Sequence, residues 1–224
     1  MKTQNAQIQQ LIKELCLLHQ ESSKSFFEST SCASVNFKKK QVRDIINDTT
    51  GTIETSFLKL IDEYHENLGD LIVDMEQEYD YSCFDFRSRI KQKESILNKL
   101  IYYRYGKDEQ GKSALLKCLN DMLGCRIIVN EFDHEGTDCY SILNDIGIDY
   151  KIDGRNASKG NDYRASHIYF YGQNIYFPWE LQIWLPKDSQ KNEQSHKEHK
   201  SKRAYISWPD DYNQPIEYEK RGED

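Results

Sequence analysis

The chain has 224 residues, 38% apolar and 30% charged, with 15 Tyr and 9 Phe. That is enough for one sizeable domain or two small ones, and no apolar run approaches the roughly 18 residues that span a bilayer. The formal net charge of −7 argues against a general nucleic-acid coat; lysine and arginine concentrate in residues 87–117 while 206–224 are acidic, which points to local recognition of an anion.

The N-terminus lacks the continuous apolar stretch and small-residue cleavage site of a signal peptide. Six cysteines, none in a C-x-x-C pair, read as reduced, mostly buried thiols of a cytoplasmic protein. In chain order, Ile8, Leu11, Ile12, Leu15 and Leu18 recur at helical spacing and predict a helix over residues 5–19. Residues 20–36 are serine-rich and read as a loop. Residues 36–46 are a short basic stretch, predicted as a helix or helical turn, carrying Lys38, Lys39, Lys40 and Arg43. The clearest amphipathic helix covers residues 52–80, on Ile53, Phe57, Leu60, Ile61, Tyr64, Leu68, Leu71, Ile72 and Met75. Residues 1–80 are thus expected to be a helical region packed on a core of residues 81–208. Residues 209–224 read as an acidic, partly disordered tail.

Beyond residue 85 the pattern becomes mixed. Residues 87–103 read as a helix with a basic side, and 113–123 as another. Residues 125–132 are an apolar run rich in branched side chains, hence a buried strand, and 148–153 are a further strand. Residues 165–172 and 175–184 read as a hairpin around Gly172-Gln173-Asn174. Residues 192–205 form a polar helix. The expected class is α+β: a mixed sheet flanked by helices, with a helical N-terminal region.

Within this layout, Gly106, Gly111, Lys112 and Ser113 fit the phosphate-loop pattern G-x-x-x-x-G-K-[ST]. Such a loop requires a buried strand before it. Ile96, Leu97, Leu100 and Ile101 follow helical spacing instead, so the stretch is read as a loop joining two helices.

Four other groups carry more chemistry. Arg89, Lys91, Ser95 and Lys99 would share one helix side, a cradle for a polyphosphate. Asp121, at an expected helix–strand junction with Gly124 turning the chain and Arg126 opening the strand, is placed to hold Mg²⁺. Lys159, Tyr163 and His167 offer a ring face and phosphate contacts. Alternation puts Glu180, Gln182 and Trp184 on one strand face, opposite Leu181 and Ile183, where Glu180 could act as general base or metal ligand.

In this order the anchors resemble the synthetase domain of the RelA/SpoT family, whose core reads R-x-K-x-x-x-S-x-x-x-K, D-x-x-G-x-R, K-x-x-G-Y-x-S-x-H, E-x-Q-x-R-T, then a helix bearing Glu and His before Y-K. The matching residues are Arg89, Lys91, Ser95 and Lys99; Asp121, Gly124 and Arg126; Lys159, Tyr163 and His167; Glu180 and Gln182; and Glu193, His196 and Lys200. The likeness covers about residues 85–200. It implies a nucleotidyltransferase-like fold, a five-stranded mixed sheet flanked by helices, and transfer of the β,γ-pyrophosphate of ATP to a 3′-hydroxyl with Mg²⁺.

By that likeness Arg89, Lys91, Ser95, Lys99 and Arg126 hold ATP, Asp121 and Glu180 hold the metal or activate the hydroxyl, and Tyr163 stacks on the acceptor base, with Lys159, His167 and Gln182 beside it. The first implied acceptor is GDP or GTP, giving (p)ppGpp. Two departures weaken the acceptor's phosphate site: Asp162 replaces the loop glycine, and Trp184-Leu185 replaces Arg-Thr. Small toxins of the family modify the 3′ CCA end of tRNA instead, for which Lys38, Lys39, Lys40 and Arg43 would supply a basic patch. An antitoxin protein and a second copy of the chain are further candidate partners. A nucleotide-binding sensor is the non-enzyme alternative, against which the presence of both Asp121 and Glu180 speaks.

Overall fold

A computed structural model describes residues 2–32, 34–78, 83–134, 138–147, 149–159 and 163–201, with backbone alone at 2, 3, 76–78, 138, 158, 159 and 196–201. The tail 209–224 therefore lies outside the described residues.

The chain opens with helix α1 (Lys2–Ser29), longer than the spacing of Ile8 to Leu18 predicts. Serine is a weak helix former, which is why residues 20–29 read as a loop; tertiary packing overrides it. Phe26 is buried against Tyr64, ring centroids 5.0 Å apart, and the Ser29 hydroxyl donates to the Phe26 carbonyl at 3.1 Å. The basic stretch after it forms only a short 3₁₀ turn at Val42–Asp44. Helix α2 (Thr55–Glu78) matches the amphipathic pattern closely, and burial of Phe57, Leu60, Ile61, Tyr64 and Leu68 marks its inner face.

Strand β1 (Arg87–Ile90) follows, where the sequence reading places the start of a basic helix. Phe86, Ser88 and Ile90 are half-buried while Arg87 and Arg89 are exposed; this period of two is that of a strand. Helix α3 (Lys93–Tyr105) begins only after it. A short helix, α4 (Leu115–Cys118), ends before a turn that holds Asp121, so Asp121 does not end a long helix. Strand β2 (Leu123–Ile128) already contains Gly124. Then come helix α5 (Asp138–Asn144), strands β3 (Ile152–Lys159), β4 (Tyr163–Phe170) and β5 (Trp179–Trp184), and helix α6 (Pro186–Ser201).

The fold is α+β: a five-stranded sheet in the order β1-β2-β5-β4-β3, flanked by helices. β2 and β5 run parallel and the other neighbours antiparallel, so the sheet is mixed, and the expected hairpin is β4–β5. One face of the sheet carries Leu123, Cys125, Ile127, Leu181, Ile183, Ile168 and Phe170, all buried, and they share one apolar cluster with Ile8, Leu15, Phe57 and Leu60 of α1 and α2. Trp179 on the same face donates its indole N–H to the Tyr64 hydroxyl at 2.7 Å. The helical layer thus covers one side of the sheet and leaves the other for polar groups. Among the described residues no helix is long and apolar enough to cross a membrane. Cys16, Cys118, Cys125 and Cys139 are buried free thiols, Cys32 is half-buried and Cys83 exposed.

Candidate active site

Strand register builds the second face row by row, because directly paired residues point the same way. One row runs Arg89, Gly124, Glu180, Tyr169 and Asp153; the next runs Arg87, Arg126, Gln182, His167 and Arg155. Cations therefore lie on β1 and β2, the buried carboxylate at the centre, and aromatic rings on β4.

At the lower end of β2, Asp121 is gripped by two ammonium groups. Lys91 bonds its Oδ2, and Lys99 donates to Oδ1 at 3.2 Å and to Asn120 Oδ1 at 2.9 Å. Burial alone would raise the Asp121 pKa, but the charges and hydrogen bonds of Lys91 and Lys99 outweigh it and hold the carboxyl down at about 2. Burial likewise disfavours the Lys99 ammonium, yet Asp121 raises its pKa overall. Asp121 and Lys99 therefore stay charged. Lys91 lies just past the end of β1, its backbone N–H donating to the Met122 carbonyl at 3.0 Å, so the cations come from a strand end and a helix, not from one helix as spacing alone predicts. Arg89 stands over Gly124: a methyl group there would meet its Cγ and Nε at 3.7 Å. Ser95 is buried in the first turn of α3.

Glu180, 7% exposed, is held by donors on both oxygens. His167 Nδ1 donates to Oε1 at 2.8 Å and Gln182 Nε2 to Oε2 at 2.7 Å. Burial would raise its pKa and so would the nearby Asp121 charge, but the bond and charge of His167 bring it below the ordinary carboxylate range. A carboxylate can only accept, so Nδ1 carries a proton, and Nε2 shares a hydrogen bond with the Tyr163 hydroxyl, 2.9 Å away. Burial pushes the Tyr163 phenol up, so it stays protonated. Both His167 nitrogens are thereby engaged within the protein. Tyr163 is itself 6% exposed and packs with Ala165 and Trp184. Tyr163, expected to stack on the acceptor base, is mostly covered here, and His167, expected to contact acceptor phosphates, bonds Glu180 through Nδ1.

Arg126 stacks over Trp184, 4.4 Å from ring centroid to guanidinium carbon, and pairs with Glu193 of α6 at 3.6 Å. Lys159 ends β3 opposite Tyr163, but its side chain, like those of His196 and Lys200, lies outside the described residues; so does Asp162. Lys38 and Lys39 are exposed, Lys40 pairs with Glu54 at 3.3 Å, and Arg43 is exposed with its N–H on the Gly111 carbonyl at 3.0 Å. The phosphate-loop pattern follows helix α3, not a strand, and its amides are spent internally: Gly106, Gly111 and Lys112 donate to Tyr102, Tyr103 and Glu109. They cannot cradle a phosphate.

Sequence reasoning missed Asn120, Tyr169 and Arg155. Tyr169 was within reach: the alternation applied to "WELQIW" also places Tyr163, His167 and Tyr169 on one face of β4.

No protein-family model matches the chain, and no curated protein sequence matches it. Among solved structures the chain is similar to small alarmone synthetase 1 from Bacillus subtilis. With that protein bound to its product pppGpp, identity is 19% and the TM-score 0.36, over 67% of this chain and 79% of the other. A second structure of it gives 22% and 0.36 over 64% and 75%. The form bound to AMPCPP gives 17% and 0.31 over 63% and 72%.

Proposed function

We propose that the chain is an ATP-dependent pyrophosphokinase of the RelA/SpoT kind, transferring the β,γ-pyrophosphate of ATP to a ribose 3′-hydroxyl, with GDP or GTP as acceptor. The observation that carries the reading is the Lys91–Asp121–Lys99 cluster at the same end of the sheet as buried Glu180. Two ammonium groups beside two carboxylates match what a triphosphate and its hydroxyl partner need: charge neutralisation and fixed position.

In this reading the 3′-oxygen attacks the β-phosphorus, the bond from that phosphorus to the α-bridging oxygen breaks, and AMP leaves. The hydroxyl proton passes to Glu180, which His167 and Gln182 hold ionised and oriented. Lys91 and Lys99, with Arg89 from the neighbouring strand, bind the phosphates. Among the described residues no group of three or more His, Cys, Asp or Glu is arranged to hold a metal ion. Mg²⁺ fits nonetheless, since it takes one or two carboxylates, here Asp121 and Glu180, and completes its shell with water and phosphate. When bound, it would neutralise phosphate charge. Both Asp121 oxygens are engaged by lysines, so phosphate binding exchanges partners within the cluster.

A second reading, transfer to the 3′ end of tRNA, is favoured by Trp184. Buried with Tyr163, it stands where the resembling family has an arginine and so removes one cation from the acceptor side. The test is incubation with γ-labelled ATP and Mg²⁺, offering GDP, GTP and bulk tRNA separately. Label in GDP or GTP is expected; label in tRNA alone moves the assignment to the second reading, and label in none removes the activity.

A further inference from the structure

The two donors already described on Glu180 come from one direction. Register puts Gln182 and His167 side by side in the row next to that of Glu180, so they brace the carboxylate along the strands only. Within its own row Glu180 has two neighbours, Gly124 on β2 and Tyr169 on β4. Gly124 has no side chain to offer. Tyr169 does: directly paired side chains in a sheet lie close enough to touch, and its hydroxyl donates to the Glu180 carboxylate. Burial, then the Glu180 charge, pushes the Tyr169 phenol up, so it stays protonated. The ring is held in place on several sides. It lies between the rings of His167 and Tyr171, 6.2 Å from each centroid and tilted by 19° and 26°. On β3 the Arg155 guanidinium carbon stands 5.7 Å from its centroid and is itself tied to Asp153 at 2.9 Å.

We propose that Tyr169 is a positioning residue for pyrophosphate transfer: its clamped ring carries a hydroxyl that fixes the Glu180 carboxylate across the sheet, as His167 and Gln182 fix it along the strands. A base must meet the acceptor hydroxyl at hydrogen-bond distance, and a misplacement of about 1 Å costs on the order of a hundredfold in rate. Donors from two directions remove the rotation that donors from one would leave. Tyr169 lies two residues beyond His167, where the family pattern K-x-x-G-Y-x-S-x-H ends, so the resemblance assigns it no role. Its part in turnover rests on the pyrophosphokinase reading; its hold on Glu180 does not.

The test is Tyr169→Phe in the full chain, at one fixed pH. The phenyl ring fills the same space, so the melting temperature is expected to hold. With the hydroxyl gone, kcat should fall about tenfold or more, while KM for ATP stays within about twofold. A packing role alone would be met by phenylalanine and would leave kcat unmoved. Tyr171→Phe, which strips a hydroxyl from the next ring out, should match the parent throughout. A second readout needs no turnover: the NMR resonances of the Gln182 side-chain amide and the His167 Nδ1–H, both donors to Glu180, should shift in Tyr169→Phe and stay put in Tyr171→Phe. Unmoved resonances, or a parent-like kcat in Tyr169→Phe, overturn the proposal. A parent that labels no acceptor while the resonances still shift loses the pyrophosphokinase reading and keeps Tyr169 as the group that holds Glu180. A parent that labels GDP or GTP, matched by Tyr169→Phe, loses the Tyr169 role alone.

Discussion

At the residue scale, single protonation states decide what the two faces of the sheet can do. Glu180 sits ionised between His167 and Gln182. Glu180→Gln keeps the shape but cannot accept a proton. Turnover is expected to drop by about 10²–10⁴, the usual worth of a general base, with the melting temperature little changed; an active Glu180→Gln enzyme would remove the base assignment. His19 makes the opposite case, a titrating group with no place in the site. A carbonyl accepts only, so its Nε2 donates to Phe177 O at 2.9 Å and its Nδ1 takes the Tyr150 hydroxyl. The ring is therefore neutral, and burial lowers its pKa from 6.5 to about 4 despite the Phe177 bond. The unfolded chain binds that proton first. Stability is fully present above pH 6.5 and lost as pH falls toward 4, by on the order of 3 kcal/mol. Asp121, lowered from 3.8 to about 2, adds a loss of the same sign only below pH 4. Urea midpoints across pH should show the first slope, and His19→Gln, which copies the neutral donor–acceptor pair, should flatten it between 6.5 and 4 while leaving the second.

At the scale of elements, what could be read from the sequence depended on whether a local period outlasts its surroundings. α2 was legible because its apolar stripe repeats over about three turns through Phe57, Leu60, Tyr64 and Leu68. β5 was legible because its polar alternation survives although all six of its residues are buried. β1 was not: four residues beside a helix that continues the same basic composition offer too little period to separate strand from helix. The candidate anchors Arg89 and Lys91 were therefore found as residues and misplaced as structure, and only the register with β2 brings Arg89 over Gly124. The second half of α1 was illegible for a different reason, since packing of Phe26 on Tyr64 is a tertiary fact. The close seat of α5 on β3 is another such fact: a methyl group at Gly154 would meet Leu143 Cδ1 at 2.5 Å and Cys139 Sγ at 2.6 Å. Gly154→Ala should force α5 outward and cost about 1–3 kcal/mol, the usual penalty of overpacking, read as a lower urea midpoint. A neutral result would mean that α5 is not seated there.

At the scale of the whole molecule, the sheet has two unlike faces, and the division of labour follows from that. Helices α1 and α2 take the apolar face and bring most of the large side chains into one cluster, so the opposite face is relieved of stabilising the fold and can hold charges that a core would not tolerate. The two faces meet in β5, where Trp179 points to the helices and the next residue, Glu180, points to the site. If the layers are separate in function, damage to the helical side should lower stability without altering chemistry. Tyr64 tests this. Its hydroxyl accepts the buried Trp179 N–H at 2.7 Å, and Tyr64→Phe removes that acceptor while filling nearly the same space. The stranded indole N–H should cost about 1–3 kcal/mol. Because neighbouring residues on a strand face opposite sides, the loss should not reach Glu180: kcat and KM for pyrophosphate transfer, measured well below the melting temperature, should stay within about twofold of the parent. A large fall in kcat with a small fall in stability would mean that the helical layer sets the position of Glu180 through β5, and the two faces would then have to be treated as one mechanical unit.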